Sequence, residues 1–227
     1  MRNGRLGILG GTFDPIHYGH LDAADAASAA LALEEIVLIP AHDQPLRVVD
    51  PRASVYHRFA LATLAIADRP ECHVSDMELV RQGRSYTEDT LRALHDSGWR
   101  GSQLFFILGS DAFAGIAAWR GYPGFFDLAH FVVIARPGLA LDEATSRTPE
   151  LRPRMSPVPR EHVASDGSTR IFLVHAHTRD VSSTTIRERL ASGQPIDELV
   201  PRAVARHIYK HHLYGAVDSL HGEDERI

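Results

Sequence analysis

With 227 residues, 44% of them hydrophobic and 23% charged, the chain has the balance of a globular protein able to bury a sizeable core, and a single domain is expected. Its formal charge of −5, without any block of basic residues, argues against a duplex nucleic-acid binder, but leaves small anionic ligands open because the local field of a cleft decides their binding. Cys72 is the only cysteine, which excludes an intramolecular disulfide and a Cys-built zinc framework and suits a reducing cytosol.

In chain order, Leu6–Leu9 reads as a short buried strand, Leu21–Leu33, rich in Ala and Leu, as a helix packed closely on a sheet, and Ile36–Ile39 as the next strand. This β-α-β order with continuous apolar strands predicts a parallel sheet covered on both faces, joined by right-handed crossovers. Ala53–Ala67 predicts a helix with Val55, Phe59, Leu61, Leu64 and Ile66 as its apolar positions, His73–Asp76 a strand, and Tyr86–His95 a further helix. Leu104–Leu108 and Phe131–Ile134 are apolar runs of strand length with the character of central parallel strands. The proline-rich stretch 137–169 predicts a long excursion holding a short helix. One strand (Arg170–His175) and two helices (Thr184–Ala191, Arg202–His212) follow, too little for a second core. The expectation is therefore one domain over 1–215 with a frayed polar tail over 216–227. Its fold class is α/β, a single doubly wound parallel sheet of about five to six strands with helices on both faces and a small C-terminal helical part. The N-terminal stretch has no apolar run long enough for a signal segment and no run reaches transmembrane length, so a cytoplasmic location with no membrane partner is expected.

The segment Gly10–His20, GGTFDPIHYGH, sits where the first strand turns into the first helix. Two glycines let the backbone approach a ligand, the helix N-terminus offers unpaired N–H groups and a positive dipole end, and His17 and His20 lie three residues apart on one face. Imidazoles in either protonation state can donate to phosphate oxygens. A histidine pair at this spacing can also ligate zinc, but there is no HExxH pattern and no third ligand beyond Asp14, so no protein metal site is expected. Near the other end, Val181–Leu190, VSSTTIRERL, places Ser182, Ser183 and Thr184 before a helix and Arg187 one turn in. By itself that is a helix cap; such a cap also presents hydroxyls, N–H groups and a guanidinium to a phosphate.

The two segments together resemble the nucleotidyltransferase superfamily, whose members carry a GTFDPxHxGH-like and an ISSTxIR-like segment and transfer a nucleoside monophosphate from a nucleoside triphosphate. The middle segments Ser85–Arg92 (SYTEDTLR), Phe106–Arg120 (FILGSDAFAGIAAWR) and Ile134–Gly138 (IARPG) are similar to the nicotinate-nucleotide adenylyltransferases, and with the end motifs the likeness covers nearly the whole chain. That resemblance implies a Rossmann-like fold and adenylyl transfer from ATP to nicotinate mononucleotide, giving deamido-NAD and pyrophosphate, with Mg²⁺ carried on the ATP. It implies His17, His20, Arg187 and Arg47 as catalytic groups, and Gly10, Gly11, Thr12, Phe13, Gly109, Asp111, Ser182, Ser183 and Thr184 as ATP-binding. It implies Tyr86 and Thr87 at the nicotinate carboxylate and Trp119 stacked on the pyridine ring, roles that hydroxyl and backbone donors and an indole face suit physically. One departure stands out: the family has Pro-Pro-His-Lys or Pro-Pro-His-Arg after the second strand, where this chain reads PAHDQPLR, with Leu46 at the histidine position. Arg47 remains as a cation, and His42 is an alternative from another position on the loop.

The rival readings are a related enzyme using nicotinamide mononucleotide or phosphopantetheine, and a nucleotide-binding regulator without turnover. A dinucleotide-dependent oxidoreductase is disfavoured because the first turn lacks GxGxxG. Nucleic acid is not an expected partner, and the oligomeric state is left open between monomer and homodimer.

Overall fold

The computed structural model describes residues 4–46, 49–135, 141–157 and 167–217. The strands and helices run β1 (Leu6–Gly11), α1 (Tyr18–Leu31), β2 (Glu35–Pro40), α2 (Val55–Ala65), β3 (Cys72–Val74), α3 (Met77–Arg81), α4 (Thr87–Asp96), β4 (Leu104–Gly109), α5 (Ser110–Ala114) and β5 (His130–Ile134). They continue with α6 (Leu141–Ser146), β6 (Met155–Pro157), β7 (Ile171–Val174), α7 (Ser183–Ala191) and α8 (Arg202–Lys210). All seven strands form one sheet in the order β3-β2-β1-β4-β5-β7-β6, and every pairing is parallel.

Apolar side chains from successive strand residues point to opposite faces, which is why the strands read as unbroken apolar runs. On one face Leu9, Leu38, Phe105, Ile107 and Val132 pack under α1, α2, α7 and α8. On the other Ile8, Ile39, Phe106, Phe131 and Val133 meet α4, α5 and α6. Buried Ala23, Ala24 and Ala27 bring α1 close to the sheet, as its alanine content predicts. None of the described helices is long and apolar enough to cross a membrane.

The chain winds outward from β1 through β2 to β3, then returns to β4 on the other side of β1, so strand order reverses between β1 and β4. The carboxyl ends of strands at such a reversal leave a crevice where open α/β sheets bind ligands. Here those ends are Gly10 and Gly11 of β1 and Gly109 of β4.

The observed sheet has one strand more than the upper expectation. The extra strand, β6, comes from the proline-rich excursion, and its three residues, Met-Ser-Pro, carry no apolar run; it exists by pairing with β7, Ser156 opposite Phe172. The expected short helix of that excursion is α6. The rest of the 137–169 stretch lies partly outside the described residues, as do 218–227 of the expected tail. Helix α1 starts at Tyr18, ahead of the alanine-rich run, so both histidines of the first motif belong to its first turn, His17 at the N-cap and His20 one turn in.

Candidate active site

The turn after β1 is compact because of what its glycines leave out. A Cβ on Gly11 would lie 3.1 Å from the ring of Phe13, which turns back beneath it with φ 52° and is buried. Gly19 has the same kind of role between the histidines. A Cβ there would sit 3.2 Å from His17 Nδ1 and 3.2 Å from Val181 Cγ1, so a larger residue would push His17 or the segment before α7 back by a few tenths of an ångström.

The imidazoles lie face to face, centroids 3.8 Å apart and inclined by 32°. The main-chain N–H of His17 donates to Nδ1 of His20 at 3.2 Å. That bond fixes the tautomer: with Nδ1 accepting, the neutral ring carries its proton on Nε2, which becomes a directed donor. His17 is buried at 2% exposure, while His20 is partly exposed to the crevice.

The far end of the chain arrives at this turn. Arg187 Nη1 donates to the Asp14 carbonyl at 2.7 Å and Nη2 to Thr184 Oγ1 at 3.1 Å. The Ser183 hydroxyl donates to the Pro15 carbonyl at 2.8 Å. Ser182 caps α7 by accepting from the Thr185 N–H at 3.1 Å. Arg179 fastens the approach to α7, its guanidinium 3.8 Å above the Tyr18 ring and its main-chain N–H donating to the Asp22 carboxylate at 2.9 Å. The structure thus brings His17, His20, Gly10, Gly11, Thr12, Phe13, Ser182, Ser183, Thr184 and Arg187 into one neighbourhood. Gly109 and Asp111 stand beside it at the end of β4 and in the first turn of α5.

Asp14 is structural. Its carboxylate, 1% exposed, accepts from the N–H groups of Arg52 (2.9 Å) and Ala53 (3.0 Å) and from the Tyr214 hydroxyl (3.0 Å), binding the turn to α2 and to the C-terminal segment. Burial, with the Asp14 charge, pushes the Tyr214 hydroxyl well above the ordinary tyrosine range, so it serves as a proton donor there. Among the described residues no group of three or more His, Cys, Asp or Glu is arranged to hold a metal ion.

Arg58 escaped sequence reasoning altogether. Fully buried in α2, it donates to the carbonyls of Thr12 (2.7 Å), Ala41 (2.6 Å) and His42 (3.1 Å), joining the loop after β1 to the loop after β2. One signal was present: Arg58, Leu61, Ala62 and Ala65 are the buried positions of that helix, at i, i+3, i+4 and i+7, so an arginine occupies the core stripe.

On the other side of the glycine turn is a cavity of about 290 Å³, lined among others by Leu46, Arg84, Tyr86, Thr87, Trp119 and Arg120. A smaller recess, lined by Gly10, Gly11, Thr87 and Trp119 among others, connects these residues to the end of β1. Trp119 is partly buried, edge-on to Phe106 at 6.2 Å and near Phe125 at 6.2 Å, so one side is anchored in the core. The Arg120 guanidinium lies 3.8 Å over the Tyr86 ring and is held by Asp89. Tyr86, Thr87 and Trp119 thus line one cavity. Arg47 falls outside the described residues, while Leu46 is exposed at the cavity. His42 is held by its main chain, donating to Ser85 Oγ at 2.9 Å and accepting from Arg58.

The geometry therefore combines a donor-rich turn able to receive phosphates with an aromatic-walled cavity for a planar ring. The cytidylyltransferase-like family matches this chain over residues 8–189. A protein of Roseiflexus sp. named "probable nicotinate-nucleotide adenylyltransferase" is 42% identical over 214 residues, 94% of this chain and 100% of that protein. One of the same name from Roseiflexus castenholzii is 41% identical over 214 residues, again 94% and 100%. Among solved structures, nicotinic acid mononucleotide adenylyltransferase of Plasmodium falciparum complexed with NaAD has the same fold, with a TM-score of 0.70 at 18% identity over 95% of this chain and 99% of that one.

Proposed function

The chain belongs to the cytidylyltransferase-like family, and from that premise we propose that it transfers the adenylyl group of MgATP to nicotinate mononucleotide, releasing pyrophosphate and deamido-NAD. A phosphate oxygen of the mononucleotide attacks the α-phosphorus of ATP in line. The new O–P bond forms as the bond from the α-phosphorus to the bridging oxygen of pyrophosphate breaks. The nucleophile is already anionic near neutral pH, so no general base is required, and the protein's task is to hold two anions together and stabilise the charge that develops.

In this reading His20 Nε2–H donates to an α-phosphate oxygen, its direction set by the bond from the His17 main chain. His17 holds that ring in place and adds a second imidazole. Arg187 and the start of α7 receive the β- and γ-phosphates, with Ser182, Ser183 (by its main-chain N–H) and Thr184 as donors, and Gly10, Gly11, Thr12 and Phe13 form the wall the triphosphate lies against. Gly109 and Asp111 border the adenosine side, and Arg47 supplies a further cation. Tyr86 and Thr87 receive the nicotinate carboxylate and the indole of Trp119 stacks on the pyridine ring. Mg²⁺ would be carried on the ATP and would supply neutralisation of phosphate charge, and a site with no acidic cage among the described residues suits an ion that keeps its waters. The active unit is one domain over residues 1–215, a reading supported by the single sheet.

The observation that carries this proposal is the 2.7 Å bond from Arg187 to the Asp14 carbonyl, which closes α7 on the turn bearing both histidines. It is tested by incubating the protein with MgATP and, separately, nicotinate mononucleotide, nicotinamide mononucleotide and phosphopantetheine, and weighing the products. The dinucleotide of the acid with pyrophosphate is expected; efficient product from another acceptor alone, or ATP bound without pyrophosphate release, overturns it.

A further inference from the structure

Arg58 directs its donors at main-chain carbonyls, and each such bond fixes the direction of a whole peptide group. Nη1 donates to the carbonyls of Thr12 at 2.7 Å and Ala41 at 2.6 Å, and Nη2 to that of His42 at 3.1 Å. In a trans peptide the N–H points opposite to the C=O, so a carbonyl held toward the buried guanidinium turns the next N–H away from it. The Ala41–His42 peptide shows the result: its carbonyl is on Arg58, and its N–H donates to Ser85 Oγ at 2.9 Å. The Thr12–Phe13 peptide, also trans, is held in the same way within the turn after β1.

The two peptides differ in what their N–H meets. Among the described residues the Phe13 N–H has no acceptor, although Phe13 is only 1% exposed. A main-chain N–H of such a residue is nearly always paired, so one left open in a turn built for phosphates calls for a partner from outside the chain. The surroundings suit an anion. The Phe13 ring meets the His20 ring edge-on at 5.1 Å, so this N–H and that imidazole belong to one wall. The helix carrying Arg58 is itself registered on the turn, because the N–H groups of Arg52 and Ala53 just before it donate to the Asp14 carboxylate.

We infer that Arg58 is a positioning residue for the triphosphate: by holding the Thr12 carbonyl it aims the Phe13 N–H at a phosphate oxygen. This rests on the ATP site assigned under the proposed function, and adds to it a residue that acts through the main chain without touching the ligand. A guanidinium suits the task because two nitrogens in a rigid plane serve three carbonyls of two loops at one fixed spacing. The single nitrogen of a lysine cannot reproduce that fork.

The test follows the peptide itself. Threonine carrying ¹³C at its carbonyl and phenylalanine carrying ¹⁵N mark it alone, because Thr12–Phe13 is the one Thr-Phe pair of the sequence. Its amide signal is recorded while the wild type, Arg58→Met and Arg58→Lys are titrated with the Mg²⁺ complex of α,β-methylene-ATP, an analogue that cannot release pyrophosphate, and affinities are measured by calorimetry. In the wild type the amide proton should move downfield on binding, as an N–H does on gaining a phosphate acceptor. Arg58→Met is expected to lose most of that shift and to bind the analogue about tenfold more weakly, with Arg58→Lys in between. Leu61→Ala, which opens a cavity one turn further along α2, separates position from stability: it lowers the melting temperature but should keep the shift and an affinity within about twofold.

An unmoved Phe13 amide in the wild type, wild-type shift and affinity in the Arg58 variants, or the same losses in Leu61→Ala would each overturn the assignment. If Arg58→Met does not fold, Arg58→Lys decides, a reduced shift with weaker binding supporting the assignment and wild-type values overturning it. A wild type that neither binds the analogue nor releases pyrophosphate from MgATP and nicotinate mononucleotide removes the proposed function, and this assignment with it. An active wild type with an unmoved amide or unaffected variants removes this assignment alone.

Discussion

Arg187 and Asp14, 173 residues apart in the chain, are joined by a 2.7 Å hydrogen bond from the guanidinium to the main-chain carbonyl. The bond fixes a positive side chain beside the first turn of α1, where the partly exposed His20 is held through Nδ1 by the His17 main chain. Replacing Arg187 by Ala should therefore lower turnover about 100-fold or more, and lysine should recover only part of it, since an ammonium cannot serve Asp14, Thr184 and a phosphate in one plane. Steady-state pyrophosphate release measures this; near-normal rates in the alanine variant would remove the guanidinium from the reaction.

His20→Ala is expected to lower kcat by about 100-fold or more with circular dichroism and melting temperature nearly unchanged, because the lost contact is made to the transition state. A parallel drop in melting temperature would instead assign His20 to packing.

On the proposed function Trp119→Ala should raise the Kd for the mononucleotide about tenfold or more and leave ATP binding within about twofold, since the indole lines the cavity to which the pyridine ring is assigned. Titration with the two ligands separately reads this out, and equal losses would point to the contacts with Phe106 and Phe125 as the residue's whole role.

Much of the fold was legible because a strand buried on both faces must be apolar throughout, so β1, β2, β4, β5 and β7 announce themselves. Strand β6 does not, being three residues that take their geometry from β7. The same contrast holds in the site. His17, His20 and Arg187 stand in motifs whose residue types fit phosphate. Arg58 looks like any polar position of a helix until its three carbonyl partners, all from loops far away in sequence, are known. The buried carboxylate of Glu78 is hidden for the same reason: the Thr90 hydroxyl it accepts from lies in the next helix.

Arg58→Met keeps most of the packing volume but leaves the carbonyls of Thr12, Ala41 and His42 without their donor. A loss of about 3 kcal/mol is expected, roughly 6–12 °C in melting temperature. Thermal denaturation checks it, and a change below about 1 °C would show that the two loops are held by other contacts.

Stability should also depend on pH through His207. Burial lowers its pKa, with His211, His57 and Lys210 adding to the shift, and its Nε2 lies 3.1 Å from Nδ1 of His57. A histidine whose folded pKa is depressed binds its proton more readily when unfolded, so its contribution is present above the ordinary histidine range and is lost as pH falls through the folded pKa. Melting temperature should fall between about pH 7 and pH 5, and His207→Gln should flatten that part of the profile. An unchanged slope in the variant would place the dependence elsewhere.

The most direct test of the whole account follows the oxygen atoms. Nicotinate mononucleotide labelled with ¹⁸O in its phosphate is incubated with MgATP and the protein, and the products are separated and weighed. Attack by that phosphate on the α-phosphorus predicts that all the label enters the dinucleotide and that pyrophosphate is unlabelled. Label in pyrophosphate, or no labelled dinucleotide at all, would contradict it.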